Sequence, residues 1–408
     1  MIGVGTRVDD TASGTRAQAP ELRIGWRDLD LGTLDPEEER PFWISLSLIP
    51  GLGPVGFARI LRRYGSARTA WLAGPAVLDC MTRSVPDAPL ALRRLRRRGP
   101  VAVARRVGGD VVRAGGRVIT ALDPDYPPAL ATTDPRPPVL YLSGDVAAFA
   151  APAVAIVGTR RATGYGRSVA QELADELARA GVTVVSGLAI GIDGEAHAAA
   201  VEAGGRSVAV LPSPLDRIYP PRHRELAERM ASSGGALLSE VAPGNVIGRP
   251  DFARRNRIIA GLAQAVVVVE APDRSGALLT ASAAVQLGRE LYAVPGPIDS
   301  VASRGCNRLI ADQLAAVVTS AAGLLTSIGL ASRSTPISVA TLSDTEARVL
   351  YRLLEKPRSV EELLPVTGLP TSSLASALTL LEARGLVTAY GGATFHPTLA
   401  ARRIGQAR

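Results

Sequence analysis

Between residues 154 and 325, short apolar runs alternate with longer stretches whose apolar residues recur every three to four positions. The runs at 154–157, 182–186, 207–211, 236–239, 265–270 and 291–294 are mostly continuous in Val, Ile, Leu and Ala. Strands of a parallel sheet covered on both faces read this way, because neither face meets water. The intervening stretches 165–180, 194–203, 222–231, 254–263 and 278–288 carry helical periodicity. A strand-helix alternation of this length predicts a Rossmann-like, doubly wound, mostly parallel α/β core.

Flanking segments follow other rhythms. Residues 1–40 are polar, end on Glu37, Glu38 and Glu39, and are expected to form a disordered leader. From Pro41 to Ala73, Ile44, Leu48, Phe57, Ile60 and Leu61 keep helical spacing around the turn Pro50-Gly51-Leu52-Gly53. This predicts a small helical module over 41–110, resembling helix-hairpin-helix and SAM-like modules. Its turn amides suit a phosphate, but a helical packing module with no ligand fits the same pattern. Residues 93–106 hold seven arginines and read as one basic helix, either a solvated face or a secondary DNA contact. The core is expected over 111–325, followed by a linker at 326–340 containing Ser332-Arg333-Ser334-Thr335-Pro336. Beyond it, 341–408 predicts helices near 344–355, 360–366 and 371–384, the last ended by Gly385. A hairpin turning at Gly391-Gly392 completes a winged-helix-like module. The helix at 371–384 is nearly uncharged, so protein contact or dimer support is as open to it as duplex DNA.

Composition narrows the class. With 408 residues, 47% hydrophobic and 21% charged, the chain is long enough for two or three packed domains. No stretch reaches the roughly 18 unbroken apolar residues of a membrane helix, and no secretory signal is visible, so a cytoplasmic protein without membrane contact is expected. Two distant cysteines and three scattered histidines leave no disulfide framework, and no structural metal is expected. The net charge of +8 is carried almost wholly by arginine, Lys356 being the single lysine. Arginine forks suit phosphate, although base composition of the genome would give the same bias. Local clusters therefore count for more than the total.

Three clusters stand at the expected sheet rim. Gly158-Thr159-Arg160 opens a glycine-containing turn into a helix, where an anion site is expected, but the spacing does not fit the dinucleotide fingerprint and no cofactor is expected. Arg160 is placed to clamp a phosphodiester or to pair with a carboxylate. Ser186-Gly187 follows the second strand and offers a hydroxyl. Asp193 is expected to cap the next helix, with His197 in a structural hydrogen bond. Phe252, Arg254, Arg255, Asn256 and Arg257 bring charge and an aromatic ring to a helix start, the pairing single-strand binders use. Phe252 fits the core equally well, and at least one of these arginines is expected in an internal ion pair. Ser275-Gly276, before a later helix, offers a further amide and hydroxyl nest.

Taken in order, Val157-Gly158-Thr159-Arg160, Ser186-Gly187-Leu188-Ala189, Gly191-Ile192-Asp193 with His197, Leu215-Asp216-Arg217-Ile218-Tyr219-Pro220, the run from Arg255 to Leu262, Arg274-Ser275-Gly276 and Ala293-Val294-Pro295-Gly296 resemble the DNA-processing protein A (DprA/Smf) family. The resemblance implies a homodimeric protein without covalent catalysis. Such a protein binds single-stranded DNA, protects incoming DNA and helps load the RecA recombinase in natural transformation. It also implies a DNA pocket of Arg160, Ser186, Gly187, Phe252, Arg254, Arg255, Asn256, Arg257, Ser275 and Gly276. Departures from the family pattern are Ala253 for a proline, Pro212-Ser213-Pro214 for a glycine-containing turn, and Asp312-Gln313-Leu314 for Asp-Gly-Ala. Two other functions share the fold or the outline. A phosphoribohydrolase-type nucleotide enzyme is one, although Arg274-Ser275-Gly276-Ala277 lacks the glutamate such enzymes carry there. A structural adaptor with a vestigial anion site is the other.

Overall fold

The computed structural model describes residues 25–82, 85–330, 342–384, 386–390, 394–398 and 401. Its centre is a nine-stranded sheet: β1 (Arg117–Thr120), β2 (Val139–Gly144), β3 (Ala153–Val157), β4 (Thr183–Ser186), β5 (Ser207–Leu211), β6 (Ala236–Ser239), β7 (Ala265–Val268), β8 (Glu290–Ala293) and β9 (Ala316–Val317). The order is β1-β2-β6-β5-β4-β3-β7-β8-β9. From β6 to β9 every pairing is parallel, while β2 joins β6 and β1 joins β2 antiparallel. The chain reverses its direction of strand addition between β3 and β7, the switch point beside which open α/β sheets place ligands.

Period-two alternation assigns the two faces. In β3, Val154 and Ile156 pack with Leu173, Leu177 and Val267 on one side. Ala155 and Val157 pack with Val185, Ile258 and Val268 on the other. The expected strands and helices are present with ends moved by a few residues. The largest shift is Arg249–Leu262, which starts five residues ahead of the expected helix because Pro250 fits a first turn and the Asp251 carboxylate accepts from the Gly248 amide at 2.7 Å.

The helical module is not a separate body. Trp43, Phe57, Ile60 and Leu92 share one buried cluster with Tyr141, Leu211 and Leu237 of the sheet. The helices Pro36–Ser47 and Gly53–Tyr64 flank the expected turn, where Gly51 has φ +80°. Residues 25–40, read from the sequence as part of a leader, are packed against the helical module. Trp26 is 1% exposed, stacks on Phe57 with 6.0 Å between ring centroids, and donates from Nε1 to Pro54 O. Asp35 caps the first helix, and buried Glu39 accepts from Trp43 Nε1 and the Ala67 amide. One tryptophan and one carboxylate in a polar stretch thus tie residues 25–40 down; residues 1–24 lie outside the described residues. The basic stretch is likewise two helices, Ala88–Arg98 and Pro100–Arg113, because Gly99 takes φ +78° and Pro100 cannot continue the hydrogen-bond ladder. Its seven arginines therefore do not line one helix.

At the far end of the sheet Gln313 occupies a left-handed position, φ +56°, where the family pattern has glycine. A side chain there costs roughly 1–2 kcal/mol, part of which glycine loses in chain entropy. Gln313→Gly is expected to raise the melting temperature by a few degrees in a thermal scan.

The last module has its own core of Val349, Leu350, Leu353, Leu363, Leu374, Leu378 and Leu381. Its helices are Asp344–Glu355, Val360–Thr367 and Thr371–Ala383, the first two with capping boxes at Ser343 and Ser359. β10 (Arg358–Ser359), β11 (Val387–Tyr390) and β12 (Thr394–Pro397) form the wing. Helices and wing match the expected winged-helix pattern. The linker around 332–336, Gly385 and the Gly391-Gly392 turn lie outside the described residues.

Candidate nucleic-acid interface

At the carboxyl end of β3, the backbone passes so close to its neighbours that a Cβ on Gly158 would lie 2.5 Å from Ile192. The following turn is not the expected anion site. Glu270, 2% exposed, sits inside it and accepts from the Thr163 amide (2.9 Å) and the Thr163 hydroxyl, while Thr163 Oγ1 caps the Gly166 amide. A carboxylate already neutralises the positive end of this helix, leaving it little attraction for phosphate. Arg160 nevertheless reaches away from this turn, exposed, with its guanidinium carbon 5.3 Å from the centroid of the Phe252 ring. Phe252 is half-buried and meets Tyr219 edge-on at 5.8 Å.

Arg255 forms the floor of the same cleft. Its side chain lies against Gly187 so closely that a Cβ there would fall 1.7 Å from Nη1. Glycine at 187 is therefore a packing requirement. Nη1 donates to Val210 O at 2.8 Å, while the buried Nε has no partner. Arg255 is 7% exposed and makes no ion pair among the described residues. Burial pushes its pKa down to about 10, against the pull of the nearby Asp193 carboxylate. It remains a cation at neutral pH. A desolvated cation with an unmatched donor is costly in a folded chain, so an acceptor brought to Arg255 is favoured there.

Asp193 does not cap its helix: Gly191 is the N-cap residue, and the Asp193 carboxylate accepts from the Gly187 amide at 3.1 Å. Burial raises its pKa, opposed first by Arg255. His197, fully buried, accepts at Nε2 from the Leu188 amide (3.3 Å), while Nδ1 meets Ser207 Oγ at 2.7 Å. Because Ser207 Oγ itself donates to Val184 O, the proton of the neutral ring sits on Nδ1. The hydrogen bonding is structural, as the sequence suggests, but it runs to Leu188 and Ser207 and not to Asp193 four residues earlier. It holds the loop Gly187-Leu188, where Leu188 has φ +57°.

The structure thus brings Arg160, Gly187, Phe252 and Arg255 to one cleft at the carboxyl ends of β3, β4 and β5, walled by Ala189, Ile190, Pro212, Tyr219 and Pro220. Other expected site residues face elsewhere. Ser186 does not offer its hydroxyl at the rim; it is fully buried and donates to Ile156 O at 2.6 Å. Arg257 pairs internally with Glu240 and donates to Pro135 O, the internal ion pair expected of one arginine. Asn256 is buried and donates to Gly276 O, tying two helices. Arg254 is exposed, pairs with Asp251 at 2.9 Å and lines a neighbouring groove. Ser275 caps the helix Gly276–Gln286, and Gly276 has open space beside it. Tyr219, Asp193 and Glu270 escaped the reading of the sequence as site residues. Tyr219 and Asp193 each stood in a sequence motif, Ile218-Tyr219-Pro220 and Gly191-Ile192-Asp193, while Glu270 had no local signal. Among the described residues, no three His, Cys, Asp or Glu side chains gather as a metal site, and no single helix is long and apolar enough to cross a membrane.

A doubly wound sheet with an arginine and aromatic cleft at its carboxyl rim, joined to a winged helix, defines a DNA-processing protein in class. Residues 117–329 match the profile of DNA recombination-mediator protein A, and residues 333–393 that of the DprA winged helix domain. The chain belongs to the DNA recombination-mediator protein A family. It is 31% identical over 404 residues to protein Smf of Synechocystis, spanning 87% of this chain and 98% of that protein. It is 39% identical over 302 residues to the putative DNA processing protein DprA of Mycobacterium tuberculosis, 69% of this chain and 77% of that one. The X-ray structure of DNA processing protein A from Streptococcus pneumoniae superposes with a TM-score of 0.60 at 30% identity, covering 70% of this chain and 97% of that one.

Proposed function

We propose that this protein grips single-stranded DNA in the cleft of Arg160, Gly187, Phe252 and Arg255, and performs no covalent chemistry there. The observation that carries the reading is the buried Arg255 guanidinium with a donor left over, beside a second, exposed arginine stacked on an aromatic ring. A phosphate or a base edge supplies the acceptor that Arg255 lacks, and Phe252 with Arg160 offers a face on which a base stacks. Backbone charge and stacking carry no base code, so the cleft suits single strands of any sequence. In the cell the bound strand is protected and handed to the RecA recombinase, by a homodimer working in the cytoplasm. Two buried thiols, Cys80 and Cys306, without a disulfide agree with a reducing compartment.

Fluorescence anisotropy with equal-length single- and double-stranded oligonucleotides tests the binding. Tight, single-strand-preferring binding that weakens as salt rises is expected. Arg160→Ala should cost about tenfold, with a salt slope shallower by roughly one, while Phe252→Ala should cost about fivefold or more. Because the two side chains touch, the double variant should lose less than the product. Wild-type affinity in both folded single variants would remove the cleft from the DNA path. Sedimentation tests the dimer, and RecA assembly on a pre-bound single strand tests the hand-over.

A further inference from the structure

Arg255 faces two spaces at once. On one side is the cleft just described, which Phe252 and Tyr219 nearly fill, leaving about 20 Å³. On the other is a groove of about 350 Å³ between the sheet and the helical module. That volume is of the size of small-ligand sites. Its apolar wall includes Ile49, Leu52, Tyr141 and Leu211, and the exposed loop after β6 closes it with Val246, 81% exposed. Polar groups stand at the edges. Arg254 opens onto it, and Glu240 and Asp251 line it while engaged by Arg257 and Arg254. The lining is therefore electrically balanced, and the groove does not attract phosphate as a cationic channel does.

We propose that this groove receives a nucleobase of the same single strand, next along from the one stacked on Phe252, with the intervening phosphate held by Arg255 between the two spaces. The inference rests on the proposed binding of single-stranded DNA and adds a second base site, built half from the helical module. Three features point there together. The unmatched Nε belongs to a side chain 93% buried, from its 7% exposure, that lines both spaces. The helix Gly53–Tyr64 begins at the groove with no side chain capping its first amides, since its N-cap residue is Leu52. The charge-balanced wall, with Ile49, Leu52 and Tyr141 beside polar groups, suits the flat face and amino edge of a base better than it suits a bare anion.

The test is a scan of single abasic sites along a short oligonucleotide, read by anisotropy on the full-length protein. Two sensitive positions are expected, each costing about fivefold or more. The first should disappear in Phe252→Ala. The second should disappear in Val246→Glu, which places a carboxylate at the groove mouth from an exposed loop position, while the first remains. Val112→Glu, the same change at a residue 67% exposed on the helix Pro100–Arg113, should leave both. A single sensitive position, lost only with Phe252 and indifferent to Val246→Glu, overturns the groove site and leaves the cleft standing. No single-strand binding by the wild-type protein, or none lost with Phe252 and Arg160, overturns the cleft and the groove together.

Discussion

Arg255→Met is expected to lower the melting temperature by several degrees in a protein that still folds, while single-strand affinity falls by about thirtyfold or more. The two halves have different causes. In the fold, Arg255 is a buried cation with one hydrogen bond to Val210 O, one unmatched donor and, among the described residues, no ion pair. Removing it relieves a desolvated cation but strips the buried Asp193 carboxylate of the charge that first opposes its burial, and losing one partner of a buried pair costs about 3–5 kcal/mol. In the complex, the same guanidinium meets phosphate out of water, where losing one partner of a desolvated pair costs about 2–5 kcal/mol. Thermal melting and anisotropy on one preparation check both. A large drop in melting temperature with affinity retained would make Arg255 a structural residue and sink the reading. Alanine is the poorer choice, because the cavity it leaves adds a destabilisation of its own.

The second large effect is acid sensitivity. His197 is fully buried, and burial, with the nearby charges of His223 and Arg255, holds its pKa down to about 3 from the ordinary 6.5. The unfolded chain takes up a proton at this ring from about pH 6.5 downward, and the folded chain does not until about pH 3. Stability contributed by the neutral ring is thus complete above pH 6.5 and is lost as pH falls toward 3, a change of several kcal/mol over the window. Protonating Nε2 would also set it against the Leu188 amide that it accepts. Melting curves from pH 7.5 to 4.0 should show a steep decline that His197→Gln flattens. An equal decline in that variant would assign the acid limb to other groups.

Regular structure was legible where one physical rule dominates. The strands of the core announce themselves as unbroken apolar runs because both faces are covered, and the winged helix by caps, periodicity and turn residues. Legibility ended where a contact joins residues far apart in the chain. Nothing near Glu270 indicates that its carboxylate folds back into the turn at Thr163, and so an anion site was expected where the protein supplies its own anion. Nothing near Trp26 shows that it stacks on Phe57, so an ordered segment read as leader. Four of the ten expected site residues converge on the cleft, because glycine, arginine and an aromatic at a sheet rim have few other uses. Ser186 and Arg257 have the right chemistry, but strand alternation and a distant carboxylate turn them inward. That Gly187 must be glycine follows from a guanidinium 68 positions later, a relation no local pattern carries.

The cluster that joins the first helices to β2, β5 and β6 also has a consequence in time. A ribosome releases Trp43, Phe57 and Trp71 long before it has made Leu211 and Leu237, the sheet residues they share a core with. At bacterial-scale rates of about 5–20 residues per second, the early helices wait on the order of ten seconds or more for their partner surface. During that interval they must pack among themselves, as Trp26, Trp43 and Phe57 are placed to do, or be shielded by another protein. The first module synthesised is therefore among the last to find its final seat.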